Sequence, residues 1–257
     1  MLTRQKALAD FLKVKRAQLQ PLNSITRRRT PGLRREEVAL RANVSVSWYT
    51  WLEQARDVQP SETVLRNIAA ALALSEQETT YLLHLAFPKT VAPLSDAVPE
   101  NTLLVLDALA DSPAIVMDAH WRVVAWNQAT LKLMPAFAKI DWTQENLLSL
   151  MFLNADYRAL FDDWATTAHN MVANFRLQFG ERVADPWFAE FITTLQAQSA
   201  EFSDMWAAQN VHLLPEQNKI LHHPTLGTMQ FAETNLLIPQ HEDLLVHIFT
   251  PIQKSLV

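Results

Sequence analysis

His222 and His223 stand side by side, and His241 is followed by Glu242, so the residue types of a metal or acid–base site are present. Their spacing forbids both uses. Neighbouring strand residues point to opposite faces, so His222 and His223 cannot hold one ion together. A metalloprotease helix needs a second histidine four residues after the first, and Leu245 occupies that place after His241. Glycines occur only at 32, 180 and 227, too far apart for a phosphate-cradling loop, a dinucleotide fingerprint or a nucleophile elbow. The absence of cysteine removes thiol nucleophiles, disulfides and zinc–thiolate sites, and it fits a reducing cytoplasm. No catalytic residue, metal or cofactor is expected.

The chemistry that survives is ionic. Residues 1–88 carry 13 Lys and Arg against 8 Asp and Glu, whereas residues 89–257 carry 9 against 19. All 13 basic side chains of the first part precede Asn67, where 6 acidic ones oppose them. Such asymmetry suits a module that meets a polyanion joined to one that does not. Arg27, Arg28 and Arg29 form a run placed to track a phosphate backbone. The following "RREEVALRANVSVSWYTWLEQARD" (34–57) reads as two short helices and a tight turn. Asn43 takes the turn, where a left-handed residue is needed. Ser45 caps the second helix, Val44, Tyr49 and Leu52 face the core, and Val46, Ser47, Thr50 and Trp51 remain outside. An exposed N-terminal half of a second helix is what a helix-turn-helix lays into the major groove. Trp51 would there touch thymine methyls or sugar edges, or else pack on a dimer partner; Trp48 packs at the helix edge.

Those residues need a scaffold, and the flanking pattern supplies one. Leu8, Phe11, Leu12 and Leu19 mark a first helix, Val38 and Leu40 a second, Val64, Leu65, Ile68 and Leu72 a fourth, and Tyr81, Leu82 and Leu85 a fifth. Ser61, and Ser75 with Glu78 three residues on, are start signals. Residues 1–87 are thus expected to be an all-α, five-helix domain. The stretch "PKTVAPLSDAVP" (88–99) reads as linker, with three prolines and no apolar period.

From 100 to 257 the pattern changes to an α+β domain with an antiparallel sheet. A short helix ends before Pro113, "AIVMDAHWRVVAWN" is a hairpin, residues 146–210 are helical, and the last 40 or so residues return to strands.

Residues Glu36–Ala39, Asn43–Ser45, Glu53, Pro60, Ser61, Leu65, Ile68, Ala69, Ala71 and Leu72 together resemble the XRE, or phage-repressor-like, DNA-binding domain. "RRRTPGLRREEVAL", "LEQARD", "VMDAHWRVVAWN", "MFLNADYRALFDDW", "SAEFSDMW" and "HHPTLGTMQF" narrow the likeness to the MmyB-like regulators, over nearly the whole chain. That resemblance implies a transcription regulator in which an XRE helix-turn-helix precedes a PAS-like domain for small, fatty-acid-like ligands. Arg35 matches a position that binds phosphate in XRE domains, where the helix N-terminus would assist it. Glu53 is an internal ion-pair or cap partner rather than a base reader. Asn43 and Ala55 stand where glycine is common, and Trp51 where arginine is frequent, so no operator can be carried over.

Six of the eight tryptophans fall within residues 121–206. Each could be core, but together they could wall an apolar pocket. Trp126, Phe152, Trp164 and Trp206 are the candidate walls, with Asn127 and Arg158 as polar groups for a ligand head; Asn127 could equally cap the next helix. The function expected is a cytoplasmic, homodimeric repressor that binds double-stranded DNA and responds to a small apolar ligand, with no membrane segment and no catalysis. The alternative is a protein–protein adaptor with a vestigial helix-turn-helix, against which the intact Arg27–Arg35 cluster argues.

Overall fold

The computed structural model describes residues 3–20, 32–88, 97–143, 145–214 and 218–252. Arg27, Arg28 and Arg29 lie outside the described residues, as does most of the stretch 88–99. The chain divides into two compact units, Met1–Val91 with Val172–Leu213 and Ala92–Met171 with Leu214–Val257.

The first unit begins with α1 (Arg4–Gln18), α2 (Arg35–Arg41), α3 (Val46–Glu53), α4 (Glu62–Ala71) and α5 (Glu76–Ala86). Their starts are chemical. The hydroxyls of Thr3, Ser45 and Ser61 accept from the backbone N–H three residues on, and Ser75 and Glu78 cap each other reciprocally. Helices this short are marginal alone in water, so packing holds them. Phe11, Leu12, Val38, Tyr49, Leu65, Ile68 and Leu82 form that packing, all fully buried. Leu40 does not join it, being 83% exposed, because two residues along a helix turn a side chain to the opposite face. Val44 is only half-buried at the turn.

Three backbone positions show why this segment tolerates few residues. Gly32 has φ +77°, and a Cβ there would lie 2.3 Å from the Arg16 carbonyl oxygen. That close approach lets Leu33 N–H donate to the same carbonyl at 3.1 Å. Asn43 and Ala55, the two residues standing in for glycine, have φ of 55° and 56°. Asparagine accepts this region readily, but alanine is strained there by roughly 1–2 kcal/mol. Ala55→Gly should therefore stabilise the protein by about 0.5–1 kcal/mol after glycine's entropic penalty, whereas Asn43→Gly should be near neutral. Urea unfolding of the two variants beside the parent chain measures both.

The first unit also holds α10 (Trp164–Glu181) from Val172 onward, α11 (Pro186–Gln198) and α12 (Ala200–Ala207). Phe175, Phe179, Phe188, Ile192 and Phe202 are buried among them.

The second unit is built on a five-stranded antiparallel sheet. Its strands are β1 (Ala114–Asp118), β2 (Val123–Trp126), β3 (Lys219–His223), β4 (Gly227–Ile238) and β5 (His241–Pro251), in the order β2-β1-β5-β4-β3. The chain's last strand thus sits between the first hairpin and β4. Helices α6 (Glu100–Ala108), α7 (Gln128–Leu133), α8 (Leu147–Leu153) and α9 (Ala155–Ala159), with a 3-10 turn at Pro135–Lys139, complete the unit. β1 is buried throughout, and Leu106, Val116, Leu244 and Val246 pack together on one part of the sheet. Leu133, Leu221 and Phe231 pack on another.

Three strands are also stapled by charge. Glu233 on β4 lies 3.5 Å from Lys219 Nζ on β3 and 3.3 Å from His247 Nδ1 on β5. Burial opposes its ionisation, but the His247 hydrogen bond and the Lys219 and His247 charges outweigh burial and hold the carboxyl down at about 2. A depressed carboxyl contributes stability that is full above its unfolded pKa and lost as pH falls toward the folded value. The sheet should weaken between pH 4.5 and about 2, and Glu233→Gln should flatten that part of an acid-unfolding curve followed by circular dichroism.

Candidate DNA-reading face and ligand cleft

On α3 the inner and outer faces separate as helical spacing requires. Tyr49 and Leu52 are buried, whereas Val46 and Trp51 are 40% and 42% exposed. Ser47 is exposed and Thr50 half-buried beside them. Trp48 is half-buried at the edge. Arg56, a residue the sequence reading passed over, stands with its guanidinium 5.8 Å from the Trp51 ring. Only the tight turn after α3, with Ala55 left-handed, brings Arg56 back toward Trp51, so no helical period could have pointed to it.

Beneath this face lies an ionic hub. Glu53 is completely buried; it accepts from Arg16 Nε at 2.5 Å and Nη2 at 3.0 Å, and from Arg35 Nε at 2.7 Å. Arg16 Nη1 also donates to the Leu33 carbonyl at 2.8 Å. Burial alone would raise the Glu53 carboxyl, but the hydrogen bonds from Arg16 and Arg35 win and keep it below the ordinary glutamate range. Burial beside that carboxylate pushes the Tyr49 phenol up. Arg35 therefore has a structural partner as well as a side chain 39% exposed. Its Nε edge is spoken for; the exposed remainder can still meet a phosphate.

Of the six ligand candidates, Phe152, Arg158 and Trp164 meet, while Trp126, Asn127 and Trp206 have partners of their own. Trp126 makes an edge contact with Phe137 at 6.1 Å, which in turn touches Trp142 at 4.6 Å. Phe152 and Trp164 meet edge-on at 5.7 Å, and Arg158 lies over the Trp164 ring at 3.6 Å. Trp206 belongs to the other unit, stacked on Phe202. Asn127 is buried and fully used. Its Oδ1 accepts from Ala114 N, Thr130 N and Thr130 Oγ1, and its Nδ2 donates to the carbonyls of Leu106, Leu109 and Ser112. It caps α7 and closes the hairpin, with no capacity left for a ligand.

An apolar cleft of about 520 Å³ opens elsewhere in the second unit, and none of the six lines it. Leu133 from α7, Met229 and Phe231 from β4, and Ile220 from β3 form its walls, with Asp111 and Lys132 as the charged groups. The period-2 alternation of Met229 and Phe231 was readable in the sequence; that α7 would face them was not. The histidine pair takes structural roles. His222 Nε2 lies 2.6 Å from Asp162, and His223 Nδ1 accepts from Thr225 and Leu226 N–H to close the turn.

Among the described residues no helix is long and apolar enough to cross a membrane. Residues 7–82 match the family model of a helix-turn-helix domain. Residues 98–255 match that of the MmyB-like transcription regulator ligand binding domain, and neither family is enzymatic. No curated protein matches the chain. The ligand-binding-domain match covers more than half of the chain, so the chain belongs to the MmyB-like transcription regulators, DNA-binding proteins that join a helix-turn-helix to a ligand-binding domain.

Proposed function

We propose that the protein is a cytoplasmic, homodimeric repressor whose operator affinity responds to a small apolar acid. In this reading residues 1–87 bind DNA and residues 100–257 form the ligand-binding module. Val46, Ser47, Thr50 and Trp51 read base edges, while Arg27, Arg28, Arg29 and Arg35 hold phosphates. The observation that carries the reading is the division of α3, whose outer residues stay exposed while Tyr49 and Leu52 are buried. Selection of bound duplexes from a random pool is expected to return a two-fold symmetric site with half-sites about one helical turn apart. Ser47→Ala and Trp51→Ala should change which bases are selected. A pool that returns no duplex bound above background overturns the reading and favours the adaptor.

For the ligand we infer the cleft beside Met229 and Phe231, with Lys132 to meet a carboxylate. An acyl chain gains about 0.8 kcal/mol per buried CH₂. At 100 times its Kd such a ligand adds about 2.7 kcal/mol of stability, seen as a higher melting temperature. A melting screen of delipidated protein against fatty acids, aromatic acids and steroids tests this, with Met229→Glu as the variant expected to lose the apolar hits. To regulate, a hit must shift operator affinity by the factor by which it prefers one DNA state. The sign of that shift decides between a repressor released by its ligand and one recruited by it.

A further inference from the structure

A buried arginine in the first unit lacks a counter-charge among the described residues. Arg176 on α10 is 1% exposed. Its Nη1 donates to Gln209 Oε1 at 2.7 Å, its Nη2 donates to the Trp206 carbonyl, and its guanidinium lies 3.8 Å over the Trp206 ring. Its Nε has no partner among the described residues, and no carboxylate there pairs with it. Burial works against its charge, with only the Tyr81 phenol beside it in compensation. An ionised group in such surroundings is expensive unless an opposite charge joins it.

The same arginine lines a cavity of about 300 Å³ within the first unit. Ala7, Asp10, Lys13 and Val14 of α1 and Tyr81 of α5 form one side; Phe179, Gln196, Trp206, Ala207 and Gln209 form the other. Asp10 lies there too, but it is held by Lys6 at 2.7 Å and Lys13 at 3.5 Å. Gly180 lets α10 run close to Tyr81, where a Cβ would stand 2.6 Å from the ring.

We propose that this cavity is a binding site for a small organic carboxylate, whose anionic head pairs with Arg176 and whose apolar body packs on Val14, Phe179 and Trp206. A guanidinium with its Nε–H free can donate it to a carboxylate oxygen in a charge-assisted hydrogen bond. The aromatic walls favour an aryl or short acyl body. The site is separate from the cleft beside Met229 and Phe231, and two of its walls are helices of the helix-turn-helix segment. It rests on the ligand-responsive reading and deepens it by naming a second place for an acid, against α1 and α5 of the helix-turn-helix domain.

The full chain carrying Met229→Glu, which removes apolar binding in the other cleft, is delipidated and titrated by calorimetry with 3-phenylpropionate and octanoate, and with the neutral alcohols 3-phenylpropanol and octanol; the further variants are made in the same background. Each carboxylate is expected to bind roughly tenfold or more tighter than its alcohol, the size of one charge-assisted hydrogen bond. Arg176→Met should erase that preference. Should Arg176→Met fail to fold, Val14→Trp, which fills the cavity and keeps the arginine, decides instead by abolishing carboxylate binding while the circular dichroism stays unchanged. Met229→Glu, aimed at the other cleft, should leave this binding intact. Equal binding of acid and alcohol, or no binding at all, overturns the site. So does unchanged carboxylate affinity in a folded Arg176→Met or Val14→Trp variant. Duplex binding is measured on the same preparations, so that a failed cavity with intact DNA binding counts against this site alone, and lost DNA binding counts against the regulator reading.

Discussion

Glu53→Ala should destabilise the helix-turn-helix by about 3–5 kcal/mol, the range found when one partner of a buried ion pair is removed. The reason is what the substitution strands. Arg16, 15% exposed at its side chain, would lose both of its carboxylate hydrogen bonds, and Arg35 would lose its Nε partner. Against a domain stability of about 5–15 kcal/mol that is a large fraction. Glu53→Gln should lie between, since the amide keeps the volume and one acceptor oxygen but no charge. Urea unfolding followed by tryptophan fluorescence measures the loss. A change under 1 kcal/mol would mean that the hub is dispensable and that burial of Tyr49 and Leu52 alone holds α3. Because the carboxyl is held low, the hub contributes fully at neutral pH and is lost only as acid protonates it.

Operator affinity should fall by about 10³–10⁵ between 50 and 200 mM salt if the proposed dimer neutralises roughly 6–10 phosphates, because each contact releases condensed counterions. Arg35→Ala should weaken all sequences alike and flatten the slope of log K against log salt by about one unit. The same change removes one partner of Glu53, so the two effects must be separated. Affinity is therefore compared at a temperature where the variant remains folded, and its slope rather than its absolute Kd is read. Arg56→Ala is the companion variant. If Arg56 steadies Trp51 from 5.8 Å away, its loss should blur base preference more than it changes the salt slope. A slope unaffected by Arg35→Ala would assign that arginine wholly to the ionic hub.

What the sequence determined by itself was local and periodic. The starts of α3, α4 and α5 follow from hydroxyl and carboxylate caps, which need only neighbours three residues away. The outward set on α3 follows from 3.6-residue spacing, and the first hairpin from its alternation around Asp118–Trp121. Glu53 could be read as an internal partner because a carboxylate fits poorly on a face meant for phosphates. Leu40 lies on the expected second helix, but its helical angle turns it away from Val38 and into solvent.

Tertiary structure decided everything that depends on which distant surfaces meet. β5 inserts between β1 and β4, so residues about 130 apart become sheet neighbours, and no local pattern encodes that pairing. The aromatic residues gathered from composition into one imagined pocket are spread over separate clusters, because a ring buries its area against any apolar neighbour and carries no address. Asn127 was drawn into the hairpin corner, where both of its N–H donors and its amide oxygen are engaged by the backbone and Thr130. Nothing in the sequence around Arg176 singles it out. Only the packing of α10 beside Tyr81 and Trp206 leaves it buried with no anion among the described residues, since desolvation is a property of the whole surrounding fold rather than of the residue or its neighbours in sequence.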